Sequence, residues 1–256
     1  MTSSIVADSL PATGWLWCPV PRPQAQIRLF CLPYAGGGGR IFRHWPDNLP
    51  RTVEVHAVEL PGRERRMSEA PFTNLLELVA ALGQALRPYL DKPFSFFGHS
   101  MGATIGFELA RYLRRECRLE PSHLFVSGAG APQFQKEGIP DYLLTEPEFF
   151  EKVRRLNGTP PELLADPQIK RLLEGILRAD FELVETYVYS PEPPLNCAIT
   201  AVGGLRDDEV ERDQLDAWRV HTNNRFMLRM LPGDHFFLHT HQATLLRLLA
   251  DNLRQH

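Results

Sequence analysis

A chain of 256 residues with 43% apolar side chains and a net charge of -3 is long enough to bury one large core, so a single domain over 1–256 that carries an insertion is expected. It has no long Lys/Arg block to draw it to nucleic acid and no apolar run near the roughly 18 to 20 residues of a membrane helix. Residues 1–8 also lack the basic stretch and apolar run of a secretory leader, so the expectation is a cytoplasmic protein, monomeric by default, with neither nucleic acid nor membrane as partner.

Residues 1–25 read as an arm, with Trp15, Leu16 and Trp17 as an apolar island ahead of Pro19, Pro21 and Pro23. Short apolar runs follow at 27–32, 53–58, 94–97, 124–127, 199–202 and 226–230. Amphipathic stretches at 74–90, 103–114, 213–219 and 243–253 lie between and after them. The alternation predicts an α/β fold, a mostly parallel central sheet flanked by helices on both faces. It stops over 132–191, where apolar stripes recur at helical spacing. One stripe is Leu143, Phe149, Phe150, Val153 and Leu156, and the other is Leu172, Leu173, Ile176, Leu177 and Phe181. An all-helical insertion here reads as a lid, or else as ordinary helices covering the sheet. Cys18, Cys31, Cys117 and Cys197 are scattered without metal-finger spacing, so free thiols are expected, with neither a disulfide framework nor a metal.

Gly98-His99-Ser100-Met101-Gly102 follows the run at 94–97 and opens the helical stretch from 103. A Gly-x-Ser-x-Gly in this strand-turn-helix setting is the pattern of a nucleophile elbow. Glycines two residues either side of the serine let strand and helix approach at a sharp turn, and the helix N-terminus sets N–H groups beneath the serine. Serine needs a histidine base and an acid to orient it. Asp207 and His235 each follow an apolar run and a turn, in the order serine, acid, histidine. Asp208 is a competing acid by spacing, while Asp234 lies beside the base. His99 reads as packing, and His239 and His241 form a His-x-His without the further ligand that a metal site needs.

Pro33-Tyr34-Ala35-Gly36-Gly37-Gly38-Gly39 follows the run at 27–32. It lacks the Gly-Lys-Ser/Thr of a phosphate loop and the spacing of a dinucleotide fingerprint. Small residues after an early strand instead let a backbone N–H face the nucleophile, which nominates the N–H groups of Ala35 and Met101 as an oxyanion hole. Phe149, Phe150, Leu173, Leu177 and Phe181 are candidates to line an acyl pocket or to pack the lid. Arg63, Arg65, Arg66, Lys152, Arg154 and Arg155 are candidates to steer an acidic partner.

Several stretches together resemble the type II thioesterases, the stand-alone editing enzymes of nonribosomal peptide and polyketide synthesis. They are Arg28-Leu29-Phe30-Cys31-Leu32-Pro33-Tyr34-Ala35-Gly36-Gly37-Gly38, Glu59-Leu60-Pro61-Gly62-Arg63-Glu64 and Phe97-Gly98-His99-Ser100-Met101-Gly102, then Gly158-Thr159-Pro160, Leu177-Arg178-Ala179-Asp180-Phe181 and Pro232-Gly233-Asp234-His235-Phe236-Phe237. The resemblance implies an α/β-hydrolase that removes stalled acyl groups from the phosphopantetheine arm of an acyl or peptidyl carrier domain, with no cofactor of its own. It places Ser100, Asp207 and His235 on the family's triad and 132–191 on its helical lid. Ser127-Gly128-Ala129-Gly130 departs from the family, which often has a basic residue after Ser-Gly. Two other readings of the same residues are a carboxylesterase or lipase of free small esters and a catalytically idle binder of acylated carriers.

Overall fold

The structure, a computed structural model, describes residues 14–134, 138–159 and 161–254. The arm read over 1–25 is therefore described from Gly14 onward. Seven strands, β1 (Leu16–Trp17), β2 (Ile27–Leu32), β3 (Val53–Val58), β4 (Phe94–His99), β5 (His123–Ser127), β6 (Ala198–Gly204) and β7 (Phe226–Leu231), form one sheet in the order β1-β3-β2-β4-β5-β6-β7. β1 pairs antiparallel with β3, and every other pairing is parallel. The apolar island of the arm is thus an edge strand.

β2 through β6 are buried along their whole length, which is why they read as unbroken apolar runs rather than alternating ones. Alternate residues serve opposite faces. Phe30, Phe96 and Leu124 join the core beneath α1 (Leu75–Leu86) and α2 (Met101–Cys117). Leu29, Phe97 and Phe125 join the other, beneath α8 (Gln242–Leu253). Asn74 caps α1 by accepting from the N–H groups of Leu76 and Glu77. The predicted helix over 74–90 ends early, at Leu86, and passes into a tight turn, Arg87–Tyr89. Pro88, which has no N–H to give, lies in that turn.

Between β5 and β6 the chain is helical, with α3 (Glu146–Leu156), α4 (Pro161–Ala165) and α5 (Pro167–Glu185). Thr145 and Glu148 cap α3 reciprocally, and Asp166 caps α5. Phe149, Phe150, Val153, Leu164 and Leu177 form a small core of their own, with Leu173 and Phe181 packed against it. The helices thus pack on one another, while Leu183 of α5 also joins the core beneath α1 and α2. α6 (Arg212–Asp216) and α7 (Phe237–Thr240) are short pieces flanking β7.

Candidate active site

Because β2 lies between β3 and β4, the loops leaving β2 and β4 emerge side by side at the carboxyl ends of the strands, where the strand order reverses. Open α/β sheets place their sites at such a point. The chain turns from β4 into α2 through Ser100, whose φ of 53° and ψ of -119° are unusual for a residue with a side chain. The Ser100 N–H donates to the carbonyl of Ser127 at 2.7 Å. A Cβ on Gly98 would lie 2.0 Å from the carbonyl oxygen of Gly102, and one on Gly102 would lie 2.3 Å from that of Leu32. Both contacts are with backbone, so both positions require glycine. Met101 is the first residue of α2, and its N–H has no intrahelical acceptor.

Asp207 follows β6 and His235 follows β7. Asp207 Oδ2 bonds His235 Nδ1 at 2.9 Å, and Asp207 Oδ1 accepts the N–H of Glu209 at 2.9 Å. The Asp207 side chain is fully enclosed, whereas Asp208 is exposed. Asp234 accepts from the N–H of Phe236 and from Asn157 Nδ2, so it shapes the turn beside the histidine.

Ser100, Met101, Ala35 and His235 line one cavity of about 450 Å³, whose apolar wall includes Leu177, Phe181, Val184 and Tyr187. Phe149, Phe150 and Leu173 are not on that wall. They sit in or against the core of the insertion, because helical spacing gives each apolar stripe a second helix to face before it can face a ligand. Of the five candidate acyl contacts, only Leu177 and Phe181 therefore meet the cavity. Val184 and Tyr187 were missed by sequence reasoning; Val184 lies on the Leu177 side of α5, seven residues on, a spacing that signals it.

His99 is fully buried, with Nδ1 bonded to Ser127 Oγ at 2.9 Å and its ring against that of His235. Burial first, and then the neighbouring His235 and His239, push its pKa well below the ordinary histidine value. His239 Nε2 pairs with the Tyr34 hydroxyl and His241 Nδ1 with Thr240 Oγ1. These histidines do not converge; among the described residues the one grouping of possible metal ligands is Cys18, Glu54 and His56. There Glu54 is already engaged by Arg28, His56 and the N–H of Arg22. The four cysteines are free.

Two of the steering candidates, Arg63 and Arg66, need correction. Arg63 is buried against Asp180, and Arg66 is buried, paired with Glu69 and stacked on Trp15. Arg65 pairs with Glu59, Lys152 with Glu209 and Arg154 with Glu151. Arg155 is exposed. No helix among the described residues is long and apolar enough to cross a membrane.

The family model described as Thioesterase domain matches residues 27–253. Gramicidin S biosynthesis protein GrsT of Aneurinibacillus migulanus is 43% identical over 230 residues, 90% of each chain. The protein named Linear gramicidin dehydrogenase LgrE, of Brevibacillus parabrevis, is 42% identical over 245 residues, 94% of this chain and 93% of that one. Among solved structures, the type II thioesterase BorB from the borrelidin biosynthetic cluster superposes with a TM-score of 0.85 at 35% identity, covering 93% of this chain and 97% of that one.

Proposed function

This chain belongs to the thioesterase family and is a thioester hydrolase, and from that premise we propose that Ser100, His235 and Asp207 cleave acyl groups from the phosphopantetheine arm of carrier domains in nonribosomal peptide or polyketide synthesis. The observation that carries the residue assignment is the Asp207–His235 hydrogen bond, set on the same cavity as a serine held at a strained elbow. With Nδ1 engaged by Asp207, His235 keeps Nε2 for the proton of Ser100. Ser100 Oγ attacks the thioester carbonyl as that proton leaves, and Asp207 stabilises the imidazolium. The N–H groups of Ala35 and Met101 hold the oxyanion. Collapse expels the pantetheine sulfur, which takes the proton from His235, and water activated by the same imidazole releases the acyl group from Ser100. The scheme draws on no cofactor. The helices between β5 and β6 act as a lid that encloses the acyl chain, within one domain.

The name dehydrogenase belongs to one relative. In this chain the glycine-rich loop after β2 enters only a single short turn, Gly39–Phe42, whereas a dinucleotide loop opens a full helix whose N-terminus faces the pyrophosphate. The test is mass spectrometry of carrier proteins loaded with acyl and aminoacyl groups, alongside a p-nitrophenyl ester of the same acyl group. Ser100→Ala should abolish turnover and fluorophosphonate labelling. Retained hydrolysis in the folded variant would overturn the assignment, and hydrolysis of the free ester alone would overturn the carrier.

A further inference from the structure

Arg63 and Asp180, from two segments that stand out in the sequence, 59–64 and 177–181, take no part in this scheme, and in the structure they meet. Arg63 Nη1 and Nη2 donate to Asp180 Oδ2 and Oδ1, each at 2.7 Å. The two side chains are 6% and 3% exposed. A buried ion pair carries a large desolvation cost, and apolar side chains of similar size would join loop to helix at least as well. The pair therefore has to be explained by what else it touches.

Asp180 Oδ2 also accepts the Gly36 N–H at 2.7 Å, and Arg63 Nη1 also donates to the Gly37 carbonyl at 3.2 Å. These residues belong to the turn that presents Ala35. The Gly37 N–H donates to the Tyr34 carbonyl at 2.9 Å, and Gly36 has a φ of +76°. A positive φ at the third position alone marks a type II turn, in which the central peptide is turned over relative to type I. Asp180 binds the N–H of that central peptide, Ala35–Gly36, and so selects its orientation. Leu177, one helical turn before Asp180, packs on the same glycine, since a Cβ on Gly36 would lie 2.6 Å from Leu177 Cδ2. Beyond the turn, Glu64 accepts the Arg40 N–H at 3.2 Å. The loop is thus gripped from α5 on one side and from Arg63 and Glu64 on the other.

We propose that Asp180, braced by Arg63, is a positioning residue that anchors this turn and so holds the preceding Tyr34–Ala35 peptide, which carries the Ala35 N–H, in place to meet the oxyanion, and that the oxyanion hole is complete only while α5 is seated on the loop. The proposal rests on Ala35 being an oxyanion donor to Ser100. It gives the lid a chemical role: lifting α5 removes the acceptor that holds the turn, so hydrolysis is favoured when the lid is closed over an acyl chain.

The test uses the full chain and compares Asp180→Asn and the double variant Arg63→Met with Asp180→Leu against the unmodified protein. Thioester hydrolysis, affinity for an alkyl boronic acid and thermal unfolding are measured for each. The boronic acid adds to the serine hydroxyl and sets an oxygen at the oxyanion position. Losing an oxyanion donor outright costs on the order of 10²- to 10³-fold; a donor left in place but misaimed should lower kcat by about 10- to 100-fold, with KM nearly unchanged. Boronate affinity should fall in parallel, and the pH profile should keep its shape because the Asp207–His235 pair is untouched. The double variant replaces the buried pair by apolar groups and so keeps the fold, yet should show the same loss. Full kcat and boronate affinity in either folded variant would reduce the pair to packing and overturn the proposal. In the unmodified protein, the Gly36 amide should exchange its hydrogen no faster than the middle of α5. Fast exchange at Gly36 under a protected α5 would overturn it equally. An unmodified protein that neither turns over the thioester nor binds the boronate would instead sink the functional reading.

Discussion

Asp207 differs from its neighbour Asp208 in having both carboxylate oxygens engaged and its side chain shut away from water. A buried carboxylate with a single histidine on one oxygen fixes the tautomer of that histidine. Asp207→Asn keeps the shape but should stabilise the wrong tautomer and lower kcat by about 10⁴-fold. Asp208→Asn, at an exposed side chain, should stay within about threefold, as surface changes away from special features have little effect. Steady-state kinetics on one acyl thioester decides this, and equal losses in the two variants would reassign the acid. Spacing in the sequence left the two aspartates open, because one residue of slip after a strand changes which of them faces inward.

At the level of single elements, the elbow and the lid behave differently. In α2, Gly102→Ala would drive a Cβ into the backbone of Leu32 and should destabilise the fold by about 3 kcal/mol. Gly106→Ala, four residues on, meets nothing nearer than 3.4 Å and should be neutral or stabilise the helix by up to about 1 kcal/mol. Urea unfolding of the pair is the check, and similar midpoints would contradict the steric account. In the lid, Phe149→Ala should cost about 3 to 5 kcal/mol by opening its small core, while leaving the ratio of long to short acyl substrates unchanged. Phe181→Ala enlarges the cavity wall and should shift that ratio toward longer chains. A carrier series of graded acyl length measures both. The elbow could be read from five residues because its constraints are local. The lid stripes could be read as helical, but which stripe met its partner and which met the cavity depends on packing between helices.

For the whole molecule, stability should fall in two stages with acid. His99 and His221 are held neutral by burial, His221 with a pKa of about 4. Unfolded histidine binds a proton near 6.5, so their contribution is complete above that pH and is lost as pH falls through it toward the native values. Glu54 follows at lower pH. Burial alone would raise its pKa, but hydrogen bonds from His56, the Arg22 N–H and Arg28 outweigh that and set it at about 2. Its contribution is present above the ordinary carboxylate range, near 4.3, and is lost as pH falls from there toward 2. Glu54→Gln should therefore lower the urea midpoint at neutral pH, with the gap to the unmodified protein closing between about pH 4.5 and 2. A gap that stayed constant down to pH 2 would remove Glu54 from this account.

Read along the chain, the sequence marked out β2 to β6 as strands, since runs of apolar residues buried on both faces have few other uses, whereas β1 read as part of an arm. The sequence also determined the elbow at Ser100, because the two flanking glycines and the helical stretch after it lie within a few residues of each other. The tertiary structure alone decided the strand order, which sets β2 beside β4 and so brings the Ala35 turn against the nucleophile. It alone decided that Arg63, a charged residue whose ordinary place is water, is buried on Asp180, 117 positions away. The physical reason is the same in both cases. An apolar run or a tight turn is dictated by neighbours along the chain, whereas an ion pair or a sheet neighbour is chosen among distant segments that only the assembled core brings together.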